Sequence, residues 1–153
     1  MIDKQIFFNE YAPWAVETMK ETKVPASVTL AQAALESRWG DSLLASKYNN
    51  FFGVKGEGPG GSVNLWTTEF RGGRYEKVKA PFRIYNTPKE SFTDHANVIA
   101  KGKYLRHAME HTESAEAFIQ ALQGGHYKYA TDPHYVDKIM NLIKEYNLAR
   151  HDG

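Results

Sequence analysis

No cysteine occurs anywhere in the 153 residues of this chain, which removes both a disulfide framework and a thiolate nucleophile from consideration while leaving the compartment open. Long apolar runs are also missing. Nothing approaches the ~20 consecutive apolar residues that span a bilayer, so no membrane span is expected. The opening, Met1-Ile2-Asp3-Lys4-Gln5-Ile6, lacks the basic stretch and following apolar core of a signal peptide. The chain is therefore expected to be made without a leader of its own. Reaching a substrate outside the membrane would then require a delivery or assembly partner, or a leader removed from the sequence. An excess of one charge is lacking too: nineteen basic residues stand against eighteen acidic ones, for a net charge of +1. So even a balance offers no field for a phosphate backbone, and no nucleic-acid partner is expected.

What is present is ordinary for a globular protein, with 42% apolar and 24% charged residues. A chain of this length buries roughly 70% of its unfolded surface in one core. With no internal repeat, low-complexity stretch or linker, residues 1–153 read as a single domain. Aromatic residues make up 13%, a share that suits sugar rings as well as cores.

Phe7, Phe8, Tyr11, Trp14, Ala15 and Met19 recur at helical steps, predicting an amphipathic helix whose start is adjusted at Pro13. A second, alanine-rich helix is predicted from Ala26 to Trp39, stopped by Gly40. A short helical segment follows at 41–47, then a glycine-rich loop from Gly56 to Gly61. Two β-type runs flank Arg71-Gly72-Gly73-Arg74 and predict a hairpin. Thr87-Pro88-Lys89-Glu90 has capping-box spacing, so a long helix should start there and run towards His107. Another helix is expected after Thr112. Asp132-Pro133 repeats the cap-plus-proline signal ahead of a last helix with Tyr135, Ile139, Leu142, Ile143 and Tyr146 on its apolar stripe.

Glu36 stands out chemically. On a helix it shares a face with Thr29, Gln32 and Gly40, among small and aromatic neighbours, in the last turn, where the dipole disfavours an anion by roughly 0.3 to 1 kcal/mol. Partial burial and the helix C-terminus both raise a carboxyl pKa, and a glycosidase general acid needs its proton near neutral pH. Position alone favours a solvated surface glutamate, as helical glutamates usually are.

Three stretches sharpen the reading: Ala31-Gln32-Ala33-Ala34-Leu35-Glu36-Ser37-Arg38-Trp39-Gly40, then Tyr48-Asn49-Asn50-Phe51-Phe52-Gly53-Val54-Lys55, then Tyr129-Ala130-Thr131-Asp132-Pro133-His134-Tyr135. In that order they resemble glycoside hydrolase family 73, whose members include bacterial autolysins, glucosaminidase domains of flagellar rod assembly proteins and phage-associated lysins. The resemblance implies an α+β, mostly helical, lysozyme-like fold, with a small β-hairpin lobe over a helical body and a glycan groove between them. It implies hydrolysis of the β-1,4 bond between N-acetylglucosamine and N-acetylmuramic acid in peptidoglycan, at the bacterial cell wall, without a cofactor or metal. Glu36 takes the general-acid position. Thr67-Thr68-Glu69-Phe70 looks like the hairpin segment that supplies a second carboxylate, which makes Glu69 the candidate, although Glu57 and Glu76 are close in sequence. Without a second carboxylate, the substrate's own 2-acetamido group could act as the nucleophile. Tyr129 matches a tyrosine associated with the active groove, suited to the acetamido group or the transition state. Trp39, Asn50, Phe52 and Tyr135 are candidate substrate-binding residues; Phe52 reads equally as core, Tyr135 reads more readily as packing for the last helix, and for Tyr129 packing is the lesser reading.

Two other readings compete. His107-Ala108-Met109-Glu110-His111 fits the H-x-x-E-H pattern of zinc metallopeptidases, although no convincing third ligand follows on a helix of its own. A cell-wall binding module that keeps the fold without turnover is the other, and the glutamate at position 36 argues against it.

Overall fold

A computed structural model of the chain describes residues 3–153; Met1 and Ile2, on which part of the expected leaderless start falls, lie outside the described residues. No helix among the described residues is long and apolar enough to cross a membrane.

Helix α1 spans Lys4–Thr22 and starts at Asp3, whose carboxylate accepts from the backbone N–H groups of Gln5 and Ile6 at 3.0 and 3.1 Å. It runs through Pro13 rather than adjusting there. The ring sits on the exposed side, while buried Phe7, Phe8, Ala12, Ala15 and Thr18 anchor both halves to the core and outweigh the one missing hydrogen bond.

Helix α2 spans Ala26–Glu36 and is buried from Ala26 through Ala34, which explains its alanine content: only small side chains allow so many neighbours to approach. It ends three residues before the predicted Trp39. The Ser37 hydroxyl donates to the Ala33 carbonyl and accepts from the Gly40 N–H at 2.8 Å, turning the chain out of the helix. Arg38, Trp39 and Gly40 then all adopt left-handed backbone, with φ of 50°, 61° and 82°. At its other end α2 has Pro25 as N-cap, which offers no side-chain acceptor. Asp152 supplies one from the far end of the chain, accepting from the Ser27 N–H at 2.8 Å and the Ser27 hydroxyl at 2.6 Å.

Helix α3, Leu43–Tyr48, leads into the glycine-rich loop. Strands β1 (Ser62–Arg71) and β2 (Arg74–Arg83) form the expected antiparallel hairpin, with Gly72 and Gly73 both at positive φ, 57° and 82°, as a two-residue turn of matching twist requires. Val63, Leu65, Thr67 and Glu69 alternate to its covered face, opposite Phe82, Ala80, Val78 and Glu76. Trp66 and Lys79 pair on the exposed face.

Helix α4, Pro88–Lys101, has the complete capping box, Thr87 with Glu90. It stops at Lys101 instead of continuing to His107, because Gly102 is extended (ψ 139°) and a short 3-10 turn follows at Arg106–Glu110. Helix α5, Ala115–Gly124, is capped by Ser114. Helix α6, Tyr135–Glu145, begins two residues later than a cap at Asp132 would give: Asp132 accepts from the His134 N–H at 2.9 Å, and the helix proper starts after that turn. A final 3-10 turn, Leu148–Asp152, lies on α2. Helices α1, α5, α6 and this turn all pack on α2, so the body is mostly helical, the hairpin is a small lobe, and the lysozyme-like α+β class expected from the sequence is the one observed.

Asp152 is the missing cap of α2, so Asp152→Ala should lower unfolding free energy in urea by about 1 kcal/mol, and Asp152→Asn by less. An unchanged urea midpoint in both variants would remove that role.

Candidate active site

Between body and hairpin lies a cleft of about 820 Å³, whose lining includes Glu36, Phe52, Gly53, Thr67, Glu69, Tyr129, Asp132 and Tyr135. Glu36, the last residue of α2, comes to it because the chain breaks away at Ser37. Gly53 faces it across the loop after α3. With φ of 67° this glycine makes a turn other residues resist, and a β-carbon there would stand 3.7 Å from Glu36 Oε2. Burial raises the Glu36 carboxyl to about 7; the nearby Tyr135 hydroxyl lowers it, the Asp132 charge raises it and Lys138 lowers it. Near neutral pH this group can therefore hold or release a proton.

Glu69 enters from the covered face of β1 and is only 9% exposed, not solvent-facing as strand glutamates commonly are. One carboxylate oxygen is paired with the Lys55 ammonium, and the other accepts from Arg71 Nη2 at 2.7 Å. Lys55 foremost, with Arg71, holds its pKa below the usual value despite partial desolvation. Glu36 and Glu69 are thus driven in opposite directions.

Tyr129 is half-buried and Tyr135 almost wholly buried, with ring centroids 5.7 Å apart. Burial first, then the Glu36 charge, raises both phenols well above their ordinary value, so both stay protonated. Phe52 lines the cleft and stacks flat on the His95 ring, centroids 3.8 Å apart. Two expected binding residues are elsewhere. Trp39 packs on Phe7, Phe8 and Tyr146 with Lys4 over its face, because the left-handed turn after Ser37 throws it to the far side of α2. Asn50 is buried, and its amide donates to the Val54 and Arg83 carbonyls, which ties the loop to the hairpin base instead of reaching a ligand.

The hairpin tip also touches the opposite bank. Phe70 N–H donates to the Thr131 hydroxyl at 3.0 Å, the Tyr75 hydroxyl donates to Asp132 at 3.1 Å, and Lys138 pairs with Asp132. Sequence reasoning missed Lys55, Arg71 and Lys138 as partners of the cleft carboxylates, and missed His95 altogether. A histidine on the stripe of Phe92, Ala96 and Ile99 is the signal it carried.

The H-x-x-E-H residues make no comparable site. His107 and Glu110 lie in the 3-10 turn, His111 follows it, and the His107 Nε2 is engaged with the Ala121 carbonyl at 2.9 Å. Among the described residues no three His, Cys, Asp or Glu side chains converge as metal ligands.

A carboxyl poised near neutrality on the floor of a cleft, with a second on an overhanging hairpin whose cationic neighbours favour the ionised form, is the arrangement of lysozyme-like glycoside hydrolases. Within that class the chain belongs to the glucosaminidase family, described as mannosyl-glycoprotein endo-beta-N-acetylglucosaminidase, whose model matches residues 12–148. It is 36% identical over 160 residues to the exo-glucosaminidase LytG of Bacillus subtilis, covering 98% of this chain and 54% of the relative. A probable N-acetylmuramidase of Lactococcus lactis is 40% identical over 134 residues, covering 83% and 30%. The catalytic domain of the autolysin Auto from Listeria monocytogenes superposes with a TM-score of 0.81 at 33% identity, over 97% of this chain and 87% of that one. The chain thus spans about half or less of the length of these two curated relatives.

The raised Glu36 value has a consequence for stability. Because the folded-state value lies above the ordinary 4.5, the folded protein holds this proton more tightly than the unfolded chain. That contribution is present at low pH and is lost as pH rises through about 7. Glu36→Gln, neutral throughout, should be more stable than the parent by on the order of 1 to 3 kcal/mol at about pH 8.5, with the advantage gone at about pH 4. Denaturant curves at both pH values check this, and an equal difference at each would contradict it.

Proposed function

We propose that this domain hydrolyses peptidoglycan glycan strands at the β-1,4 bond between N-acetylglucosamine and N-acetylmuramic acid, on the reducing side of N-acetylglucosamine, with Glu36 as general acid. The observation that carries the reading is a carboxyl at the cleft floor whose pKa burial raises to about 7. Such a group is protonated often enough to protonate the leaving oxygen and acidic enough to give the proton up. The family membership supplies the substrate class.

Glu69 is held as an anion by Lys55 and Arg71, which reduces its basicity and suits it to stabilising positive charge at the anomeric carbon. Proton abstraction from water is the lesser fit. Tyr129, kept protonated by burial and the Glu36 charge, is suited to donating to the 2-acetamido group, and Phe52 would give the sugar an apolar wall. Tyr135 acts on Glu36 more than on sugar, being only 2% exposed. None of these roles uses a metal or cofactor. The place of action is the bacterial cell wall, and residues 1–153 serve as one catalytic domain.

If Glu36 is the acid, Glu36→Gln should lower turnover on purified peptidoglycan by roughly 100-fold or more while sedimentation with the wall is kept, since the amide cannot donate in its place. Lysis near the parent rate by the folded variant would refute the assignment. If both proteins sediment without releasing new ends, the binding-module reading takes over.

The names of the relatives divide between glucosaminidase and muramidase, so the bond needs its own test. Digested peptidoglycan, reduced with borohydride and analysed by mass spectrometry, should carry N-acetylglucosaminitol at its new ends. N-acetylmuramitol would mark a muramidase instead, and anhydro-muramic ends a lytic transglycosylase.

A further inference from the structure

Beneath the cleft floor lies a polar chain that a helical core does not need for packing. Gln32, His95 and Tyr135 are 0%, 1% and 2% exposed. The His95 Nε2 stands 2.8 Å from Gln32 Oε1, and Gln32 Nε2 donates to the Tyr135 hydroxyl oxygen at 3.2 Å. Buried polar groups in an alanine-lined interior cost stability unless their donors and acceptors are matched, so the direction of each bond follows from the inventory.

The His95 Nδ1 is buried and has no partner. Burial also keeps this ring neutral, its pKa lowered to about 3, so it carries one N–H. An orphaned donor is the rarer and costlier arrangement, so the proton resides on Nε2, where an acceptor waits. The ring is further held by Phe52 stacked on its face. With Nε2–H donating, Gln32 must present its carbonyl to His95 and its NH₂ to Tyr135. The Tyr135 oxygen is then already accepting, which leaves its own proton for another acceptor; Glu36 lines the same cleft, and the Tyr135 hydroxyl lowers its pKa.

We propose, building on the general-acid reading of Glu36, that Gln32 and His95 are positioning residues: a one-way hydrogen-bond chain from His95 through Gln32 aims the Tyr135 proton at the Glu36 carboxyl. Glu36 also feels Lys138 from α6 and Asp132 and Tyr129 from the segment before it, and Arg38, Lys55, Glu69, Arg83 and Lys128 line the same cleft. Tyr135 differs from these in that its orientation is fixed from the protein interior. The chain favours the carboxylate, the state left once the proton has gone to the leaving oxygen, and so opposes the effect of burial. Without it the carboxyl would keep its proton too well.

Three measurements on the intact protein test this. Nitrogen-15 NMR of the parent should show the His95 ring protonated at Nε2; an Nδ1–H ring overturns the chain. Carbon-13 NMR should then follow the Glu36 carboxyl in the parent, in Gln32→Met, which keeps length and removes both polar ends, and in Tyr135→Phe. The Glu36 midpoint should rise by roughly half a pH unit or more in both, about a threefold change in proton affinity. Should Gln32→Met not fold, Tyr135→Phe carries the same test. On peptidoglycan, the basic limb of kcat should move up with the midpoint while KM stays within about twofold. An unmoved or lowered midpoint in folded variants overturns the proposal, and so does a fall in kcat without it, since that is what loss of packing alone produces. The NMR measurements involve no substrate. A parent without turnover would therefore defeat the hydrolase reading and leave the chain to be decided separately.

Discussion

The cleft depends on one helix that is sealed from water along nearly its whole length and then releases a carboxylate at its end. Helix α2 contacts α1, α5, α6 and the last 3-10 turn, and its nine residues from Ala26 to Ala34 are all buried. A helix so enclosed cannot shift its register without opening the core. Glu36 is thereby fixed in place at the boundary between a dry interior and an open groove. Its raised pKa is a product of that boundary: one turn earlier the group would sit inside the core, and a few residues later it would be solvated.

The hairpin supplies the opposite environment to its own carboxylate. Glu69 is itself only 9% exposed, yet two cations meet it, and their attraction outweighs desolvation, whereas burial dominates at Glu36. One carboxyl is kept protonatable and the other kept charged by the same low-dielectric cleft, the difference arising from which cations the neighbouring chain provides. Lys55 belongs to the loop joining body and lobe, and Arg71 to the hairpin itself, so the charged state of Glu69 also records that the lobe is seated.

Features set by local chemistry were readable in the sequence. The Gly72-Gly73 turn, the Thr87–Glu90 capping box and the alanine-rich course of α2 each rest on a few neighbouring residues, and each is where it was expected. Features set by tertiary contact were not. Pro13 is tolerated because buried residues hold α1 on both sides of it, and α2 ends early because Ser37 captures a carbonyl and caps a turn. The same division holds in the cleft. Glu36, Glu69, Phe52, Tyr129 and Tyr135 line it together, while Trp39 and Asn50 belong to adjacent motif positions that turn away. Membership of a motif does not say which side of the backbone a side chain takes. His95 showed only as a histidine on an apolar stripe, because its meaning comes from Gln32, 63 residues earlier in the chain.

The contacts between the hairpin tip and the Thr131–Asp132 bank set a condition on any polymer that uses the groove. While Phe70, Tyr75, Thr131 and Asp132 remain joined, the groove is spanned by a strap, and a long strand can enter from the side only after the strap parts. Exposed bonds of this kind contribute about 0.5 to 1.5 kcal/mol each. Parting both therefore costs about 1 to 3 kcal/mol, little enough for the two banks to separate without disturbing the core. The joining of the two banks at that end of the cleft is set by two small polar contacts at the hairpin tip.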